Sequence, residues 1–240
     1  MVFPMDVLTR MASGDTDPVF TPFAKFSSEI YCSDMTALNT DAFVSLCSQY
    51  IDGDTGRRLI FYDKQGNVTT QKGGYYRTPE MTFPRKMDWH AFDGRLISRA
   101  DGKRIVVTNL ITDQIEIYDG QGDLVKLIKG PDHFDPDVVD LSKGNMTSYG
   151  YGEKARTAYV FPLAKKNSFW AKYYGTTFDE IDSGPKSTVM LSFDWDGKPL
   201  DKYIIQANIV NFDVDESRGL IYGIIMTEEG EQKIIKAKYK

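Results

Sequence analysis

The side chains best suited to chemistry in this sequence are aromatic and basic residues that occur in short groups. Tyr, Trp and Arg are enriched at binding hot spots, and rigid aromatic rings bury a large area at a small cost in entropy. Such groups predict a recognition surface, although aromatic side chains also pack between sheets in ordinary cores. The eight candidate binding residues are Tyr75, Tyr76, Arg77, Trp89, His90, Trp170, Tyr173 and Tyr174.

Arg77 and His90 are the members of this set whose charge could serve a ligand or a reaction. The guanidinium of Arg77 is suited to holding a carboxylate by a two-pronged hydrogen bond. The chain has only two histidines, His90 and His133, so a site that needs several imidazoles is excluded. HExxH, GxSxG and Walker A patterns are absent from the sequence. A lone histidine of this kind is typical of a structural residue, and we therefore assign no catalytic residue.

The acidic and sulfur-containing residues do not form a recognisable metal site. Four aspartates around His133 could supply oxygen ligands to Ca²⁺, but no glycine-containing calcium loop accompanies them, which favours a solvated loop. Cys32 and Cys47 have neither zinc nor CxxC spacing, and they are either two buried thiols or one disulfide between neighbouring strands. The sequence therefore predicts no metal and no cofactor. The four aspartates are Asp132, Asp135, Asp137 and Asp140.

The elements that position these residues are predicted to be short strands. Alternating segments separated by Gly, Asp and Asn turns recur along the chain, and helical periodicity is hard to find. A repeated unit consists of an aromatic residue, an aspartate, two further residues and a glycine. Asp can bond to its own backbone at the entrance of a turn, and Gly supplies the positive φ of a tight hairpin. We expect three aspartates to enter the hairpin between the third and fourth strands of successive units: Asp63, Asp119 and Asp194.

One unit shows the expected architecture in full. Strands predicted at 95–99, 104–111, 114–119 and 124–129 form an up-and-down meander of four antiparallel strands, which is the blade pattern of a β-propeller. The prediction is an all-β fold, a single propeller domain with about four to five blades that is either incomplete or open. The predicted blades are roughly 27–73, 87–130, 146–205 and 209–240.

The last predicted blade ends after three strands. Residues 1–26, and Met5 to Met11 in particular, are the candidate segment to complete it. Without that segment, Ile234 to Tyr239 should pair on one side only, and an unpaired edge favours self-association. Four lysines near this edge, at positions 233, 236, 238 and 240, are either gatekeepers against aggregation or part of a solvated tail.

Composition and charge exclude several classes of protein. The chain has 240 residues, 26% of them charged, with a net charge of −5. These values argue against disorder and against nucleic acid as a partner. The longest mostly apolar run, Leu220 to Met226, is far shorter than the ~20 residues that span a bilayer, so no transmembrane segment is predicted. The first six residues lack the basic and apolar regions of a signal peptide.

The later part of the chain resembles a known family. Val189 to Leu200 followed by Tyr203 resembles a strand–turn–strand that recurs in the TolB-like six-bladed propeller-like proteins of bacteria, which are largely uncharacterised. Phe212 to Glu216 and Leu220 to Gly223 are similar to the segment that follows it in that family. With weaker similarity in the preceding blade, the resemblance covers about residues 45–240.

The resemblance implies more about fold than about activity. The family has no agreed catalytic residues, and its members are usually longer, with a lipoprotein-type leader and one or two earlier blades. This chain is therefore either truncated or a shorter variant. The usual location of the family's members implies that it lies outside the cytoplasm, in the periplasm or at the cell surface. We favour a non-catalytic propeller that binds a peptide, protein or glycan. The alternatives are a metal-dependent propeller hydrolase or lactonase, and a structural assembly module.

Overall fold

The computed structural model describes residues 32–47, 57–184, 187–227 and 230–239. These residues form four larger antiparallel sheets in which the strands lie in the order of the sequence. The first two sheets have four strands each. Sheet I contains β1 (Cys32–Asn39), β2 (Ala42–Cys47), β3 (Leu59–Asp63) and β4 (Val68–Lys72). Sheet II contains β5 (Gly94–Ser98), β6 (Arg104–Asn109), β7 (Gln114–Asp119) and β8 (Leu124–Lys129).

The second half of the chain continues the same pattern after a small hairpin. The hairpin consists of β9 (Val138–Asp140) and β10 (Tyr149–Tyr151). Sheet III contains β11 (Arg156–Ala164), β12 (Ser168–Thr177), β13 (Thr188–Asp194) and β14 (Pro199–Ile205). Sheet IV contains β15 (Ile209–Asp215), β16 (Leu220–Met226) and β17 (Gln232–Lys238). The predicted all-β fold of antiparallel four-stranded sheets is confirmed.

Helical structure in the described residues is confined to short pieces. A 3₁₀ turn at Arg85–Met87 leads into α1 (Asp88–Ala91), and α2 (Phe178–Asp182) follows β12. A capping box, in which Thr177 and Glu180 bond each other's backbone, begins α2. No helix among the described residues is long and apolar enough to cross a membrane.

The repeated aspartate turns have the predicted position and chemistry. Asp63, Asp119 and Asp194 each end the third strand of their sheet. In all three turns, the Oδ1 atom of the aspartate accepts bonds from the backbone N–H groups two and four residues later, at 2.8–3.0 Å. The glycine three residues after each aspartate has a φ between 76° and 86°. The repeat prediction is therefore confirmed, because one turn closes three separate hairpins.

The hydrophobic core lies between the stacked sheets. Central strands are buried on both faces, as in β6, where Ile105, Val106 and Val107 are fully buried, whereas the fourth strands are largely exposed. Ile105 and Val107 pack with residues of sheet I, and Val106 packs with residues of sheet III. An inner strand therefore reads as continuously apolar because a sheet covers each of its faces.

A buried ion pair joins sheets I and II. The guanidinium of Arg58 donates to both carboxylate oxygens of Glu116 at 3.2 Å and to Oδ1 of Asn109 at 2.7 Å. The Tyr118 hydroxyl also donates to Glu116, at 2.6 Å. Both charged side chains are fully buried. This network fixes the segment before β3 against β6 and β7.

A second buried charge, Lys172, lies between sheets III and IV. Its ammonium donates to the carbonyl oxygen of Ile209 at 2.5 Å and lies 4.5 Å from the ring centre of Tyr174. The residue is 1% exposed. Burial lowers the pKa of Lys172 to about 8. The folded state therefore disfavours the charged form of this lysine.

The buried Lys172 should make stability depend on pH in the alkaline range. Between pH 8 and 10.5 an unfolded lysine is charged while Lys172 in the folded protein is neutral, so the free energy of unfolding should rise with pH. The rise should total about 3 kcal/mol. Denaturant unfolding of wild type and Lys172→Met over pH 7–10 isolates this contribution from the other titrating groups. Parallel curves for the two proteins would refute the prediction.

Two features near the ends of the described chain bear on the predictions. β17 pairs with β16, and no second strand pairs with it within the residues that the structure describes. The proposed completing segment, Met5 to Met11, lies outside those residues, so its role stays a prediction. Cys32 and Cys47 occupy directly opposite positions of β1 and β2, and both side chains are thiols.

Candidate functional site

Three irregular segments meet at one end of the sheets, which we call the insertion end. In an antiparallel meander, the connections from second to third strand and from fourth to first strand lie at the same end. These connections include residues 73–93, 130–155 and 178–184. The aspartate turns lie at the opposite end, which we call the turn end.

Arg77 organises the first of these segments. Its Nη1 atom donates to Oδ1 of Asp88 at 2.6 Å, and its Nη2 atom donates to the carbonyl oxygens of Met81 and Phe83 at 2.7 and 2.5 Å. The guanidinium also lies 4.4 Å from the ring centre of Phe83. These bonds hold the chain against the start of α1. The sequence suggested that Arg77 holds a ligand carboxylate. In the structure its guanidinium is instead bonded within its own segment.

α1 places two aromatic side chains at the surface. Met87 and Ala91 are buried, which fixes one side of the helical turn on the core. Trp89 and His90 lie between them in sequence and are half-buried. The imidazole of His90 stacks on Tyr151 of β10, with ring centres 4.5 Å apart and planes 10° apart. The hairpin therefore packs directly on α1.

The stack continues into α2. Tyr151 also stacks on Phe178, with ring centres 5.1 Å apart and planes 21° apart. Trp89 makes edge contacts with His90 and Tyr149, with ring centres 5.5 and 6.0 Å apart. Tyr151 is 37% exposed, and the other four are half-buried. We call these five residues the aromatic surface: Trp89, His90, Tyr149, Tyr151 and Phe178.

Two side chains of the aromatic surface, His90 and Tyr151, are uncharged near neutral pH. Burial lowers the pKa of His90 below its usual 6.5, although the Asp93 carboxylate and the Gly150 backbone act in the opposite direction. Burial raises the pKa of Tyr151, and Asp93 adds to the effect. The Nε2 atom of His90 is buried and has no hydrogen-bond partner among the described residues. A neutral imidazole and the neutral phenol of Tyr151 therefore lie in this surface.

The acidic residues of the second segment are used separately. Asp135 accepts from the Thr78 hydroxyl at 2.9 Å, Asp132 accepts from the Tyr173 hydroxyl at 2.8 Å, and Asp140 pairs with Lys86 at 2.7 Å. Within the described ranges, no group of three or more His, Cys, Asp or Glu side chains could hold a metal ion.

The predicted exposure of two candidate residues is wrong. Trp170 is 2% exposed and Tyr173 is 5% exposed. Both belong to β12, an inner strand of sheet III. Trp170 packs on sheet IV, and Tyr173 packs on Tyr159 with ring centres 5.1 Å apart. Tyr174 is half-buried beneath the ammonium of Lys172.

The remaining predicted residues divide between the core and the insertion end. Tyr75 and Tyr76 are half-buried. The ring centre of Tyr75 lies 5.2 Å from the guanidinium carbon of Arg58, and the ring centres of Tyr76 and Tyr118 are 6.4 Å apart. Of the eight candidates, Trp89 and His90 belong to the aromatic surface.

Sequence reasoning missed three members of the aromatic surface: Tyr149, Tyr151 and Phe178. Tyr149 and Tyr151 alternate with glycines inside the long irregular stretch between sheets II and III. Aromatic residues in an inserted, glycine-containing segment signal a loop that carries function more often than a core. Phe178 gave no such signal, since it follows directly on the apolar pattern of β12.

Comparison with known proteins places the chain among propeller-like sequences. A family model described as TolB-like 6-blade propeller-like matches residues 32–217. No curated protein matches the sequence.

Similar solved structures share little sequence with this chain. A member of the DUF4221 family from Bacteroides vulgatus is 10% identical, with a TM-score of 0.46, and the match covers 93% of this chain and 67% of that one. A putative exported protein from Bacteroides fragilis is 11% identical, with a TM-score of 0.43, and the match covers 88% of this chain and 58% of that one. The WD40 domain of SCAP from fission yeast is 14% identical, with a TM-score of 0.41, and the match covers 91% of this chain and 42% of that one. The chain thus spans about half the length of the last two proteins.

Proposed function

Because the chain belongs to the TolB-like 6-blade propeller-like family, we propose that it is a non-catalytic β-propeller module that binds a peptide, protein or glycan. The aromatic surface at the insertion end is the proposed contact. The observation that carries this proposal is the convergence of five rings from three separate segments on a surface where Tyr151 remains 37% exposed. Aromatic side chains in segments of this kind are typical of recognition sites.

The chemistry of this surface supports binding over catalysis. His90 is the single histidine of the surface, and its pKa is lowered mainly by burial. The hydroxyl–carboxylate bonds at this end, from Thr78 to Asp135 and from Tyr173 to Asp132, do not involve His90. The Arg77 bonds and the stacked rings instead form a preorganised surface, which lowers the cost of binding.

The proposed location outside the cytoplasm, in the periplasm or at the cell surface, is supported by the family resemblance. Cell fractionation with the natural chain tests it. Recovery of the protein with cytoplasmic markers would overturn this part of the proposal.

Tyr151→Ala should abolish or strongly weaken ligand binding. We expect at least about a tenfold loss of affinity, since removal of a hot-spot aromatic costs roughly 2 kcal/mol. The measurement is the binding of wild type and variant to peptide and glycan arrays, followed by calorimetric titration of the ligands retained. Leu200→Ala is the matched control, because Leu200 is 47% exposed on β14, away from the insertion end.

The variants separate site binding from general loss of structure. Thermal unfolding of Tyr151→Ala should stay within a few degrees of wild type, because the side chain is partly exposed. Binding that is unchanged in Tyr151→Ala but lost in Leu200→Ala would refute the aromatic surface as the contact.

A further inference from the structure

The negative charge of the chain is concentrated at the insertion end. Residues 73–93, 130–155 and 178–184 contain 11 acidic and five basic side chains. The remainder of the chain contains 23 acidic and 24 basic side chains. The described segments of the insertion end therefore carry a net charge of −6, while the rest is close to neutral. A surface of one sign attracts ligands of the other.

Carboxylates lie directly beside the aromatic surface. Asp93 is close enough to His90 and Tyr151 that its charge affects the pKa of both. On α2, Asp179 and Asp182 are exposed and follow Phe178 in the same helical turn. The aromatic surface thus combines apolar rings and negatively charged groups, a combination that suits a cation.

The chain's own cations at this end show the same chemistry. The ammonium of Lys86 lies 5.6 Å from the ring centre of Tyr149 and 2.7 Å from the carboxylate of Asp140. The guanidinium of Arg77 is likewise held by a ring, that of Phe83, and by a carboxylate. Arg77 and Lys86 are already paired, and the three other basic residues of these segments, Arg85, Lys143 and Lys154, are outnumbered by the acidic side chains. The two tyrosine hydroxyls add to the acceptors that these acidic side chains supply.

We infer that the aromatic surface binds a basic peptide segment, with an arginine or lysine side chain that donates to the Tyr151 hydroxyl and pairs with the Asp93 carboxylate. This inference rests on the proposed function and specifies its partner. Exposed carboxylates are spread over three segments, so a ligand with several positive charges can pair with more of them than a single small amine can. Acidic peptides and anionic glycans are repelled by the same field.

Stacking geometry also disfavours a sugar on Tyr151. Both faces of its ring are occupied, one by His90 and the other by Phe178. The accessible part of Tyr151 is therefore its edge and its hydroxyl. A hydroxyl oxygen accepts a hydrogen bond from an ammonium or guanidinium, whereas a pyranose ring needs an open aromatic face.

The test uses short Gly/Ser peptides that carry arginine and lysine at regular spacing, with two matched peptides in which citrulline or glutamate replaces the basic residues. Calorimetric titration at low and physiological salt should show binding of the basic peptide, weakened by salt, and no binding of the glutamate peptide. Tyr151→Ala and the double variant Asp179→Asn, Asp182→Asn should each weaken binding by about tenfold. The double variant Asp41→Asn, Asp196→Asn removes the same charge at the turn end and should change the affinity less than twofold.

The outcomes distinguish failure of this inference from failure of the proposed binding function. If a neutral peptide or glycan from the arrays binds through Tyr151 while the basic peptide does not bind, the basic partner is wrong and the binding function stands. If the basic peptide binds to Tyr151→Ala as tightly as to wild type, the binding reflects only general electrostatic attraction and the inference fails. If neither the basic peptide nor any arrayed ligand depends on Tyr151, both proposals fail.

Discussion

Arg58→Met should lower the free energy of unfolding by about 3–5 kcal/mol, the cost of leaving one member of a buried ion pair alone. Arg58 and Glu116 are both fully buried, and the guanidinium supplies two of the hydrogen bonds to that carboxylate. Methionine fills most of the volume of the arginine stem but leaves the Glu116 carboxylate in a low-dielectric interior. The measurement is denaturant unfolding at neutral pH.

Two further variants give this experiment its control. The double variant Arg58→Met, Glu116→Gln removes both charges and should recover part of the loss, because no unpaired charge remains. Lys64→Met removes a member of an exposed pair, in which both side chains are more than half exposed, and should change stability by at most about 1 kcal/mol. Equal stability of Arg58→Met and wild type would contradict the prediction.

Trp170→Ala should destabilise the fold by about 3–5 kcal/mol, as removal of a large buried aromatic side chain does. Trp170 stacks on Tyr203 with ring centres 5.3 Å apart and contacts the edge of Tyr239 at 5.1 Å. Its indole N–H donates to the Ser168 hydroxyl at 2.9 Å. The substitution leaves a cavity between sheets III and IV and removes the bond that the Ser168 hydroxyl accepts, although this hydroxyl still donates to Glu216 at 2.6 Å.

The matched control for Trp170 is Val210→Ala, since Val210 is 41% exposed on β15. That change should cost less than about 1 kcal/mol. Thermal and denaturant unfolding of the two variants provide the comparison. A Trp170→Ala protein that unfolds like wild type would show that the side chain lies outside the core, contrary to the packing described above.

The strands and turns were predictable because their signals are local. The aspartate at the entrance of each hairpin and the glycine at positive φ are fixed by the backbone of a few residues, so Asp63 and Asp119 reveal the same turn from sequence alone. The strands of sheet II likewise fall within one or two residues of the predicted bounds. Short apolar segments between such turns leave little freedom for another assignment.

The exposure of the aromatic residues was not predictable in the same way. Whether Trp170 faces a ligand or a neighbouring sheet depends on what covers sheet III, which involves residues far away in sequence. On an inner strand both faces are buried, so the usual alternation between apolar and polar residues disappears. The aromatic surface also depends on contacts between distant segments, as when His90 meets Tyr151, and no spacing rule brings these residues together.

The two ends of the sheets differ in how much change they tolerate. At the turn end, the three aspartate hairpins have loops of constant length, at residues 64–67, 120–123 and 195–198. At the insertion end, the connection from one sheet to the next ranges from the long segment 130–155 to the short segment 206–208, yet the sheets on either side keep the same strand order. Loops at one end can therefore be lengthened, shortened or replaced without altering strand register. This architecture separates the residues that are available for diversification from those that maintain the scaffold, which makes the insertion end the natural place to graft a new specificity.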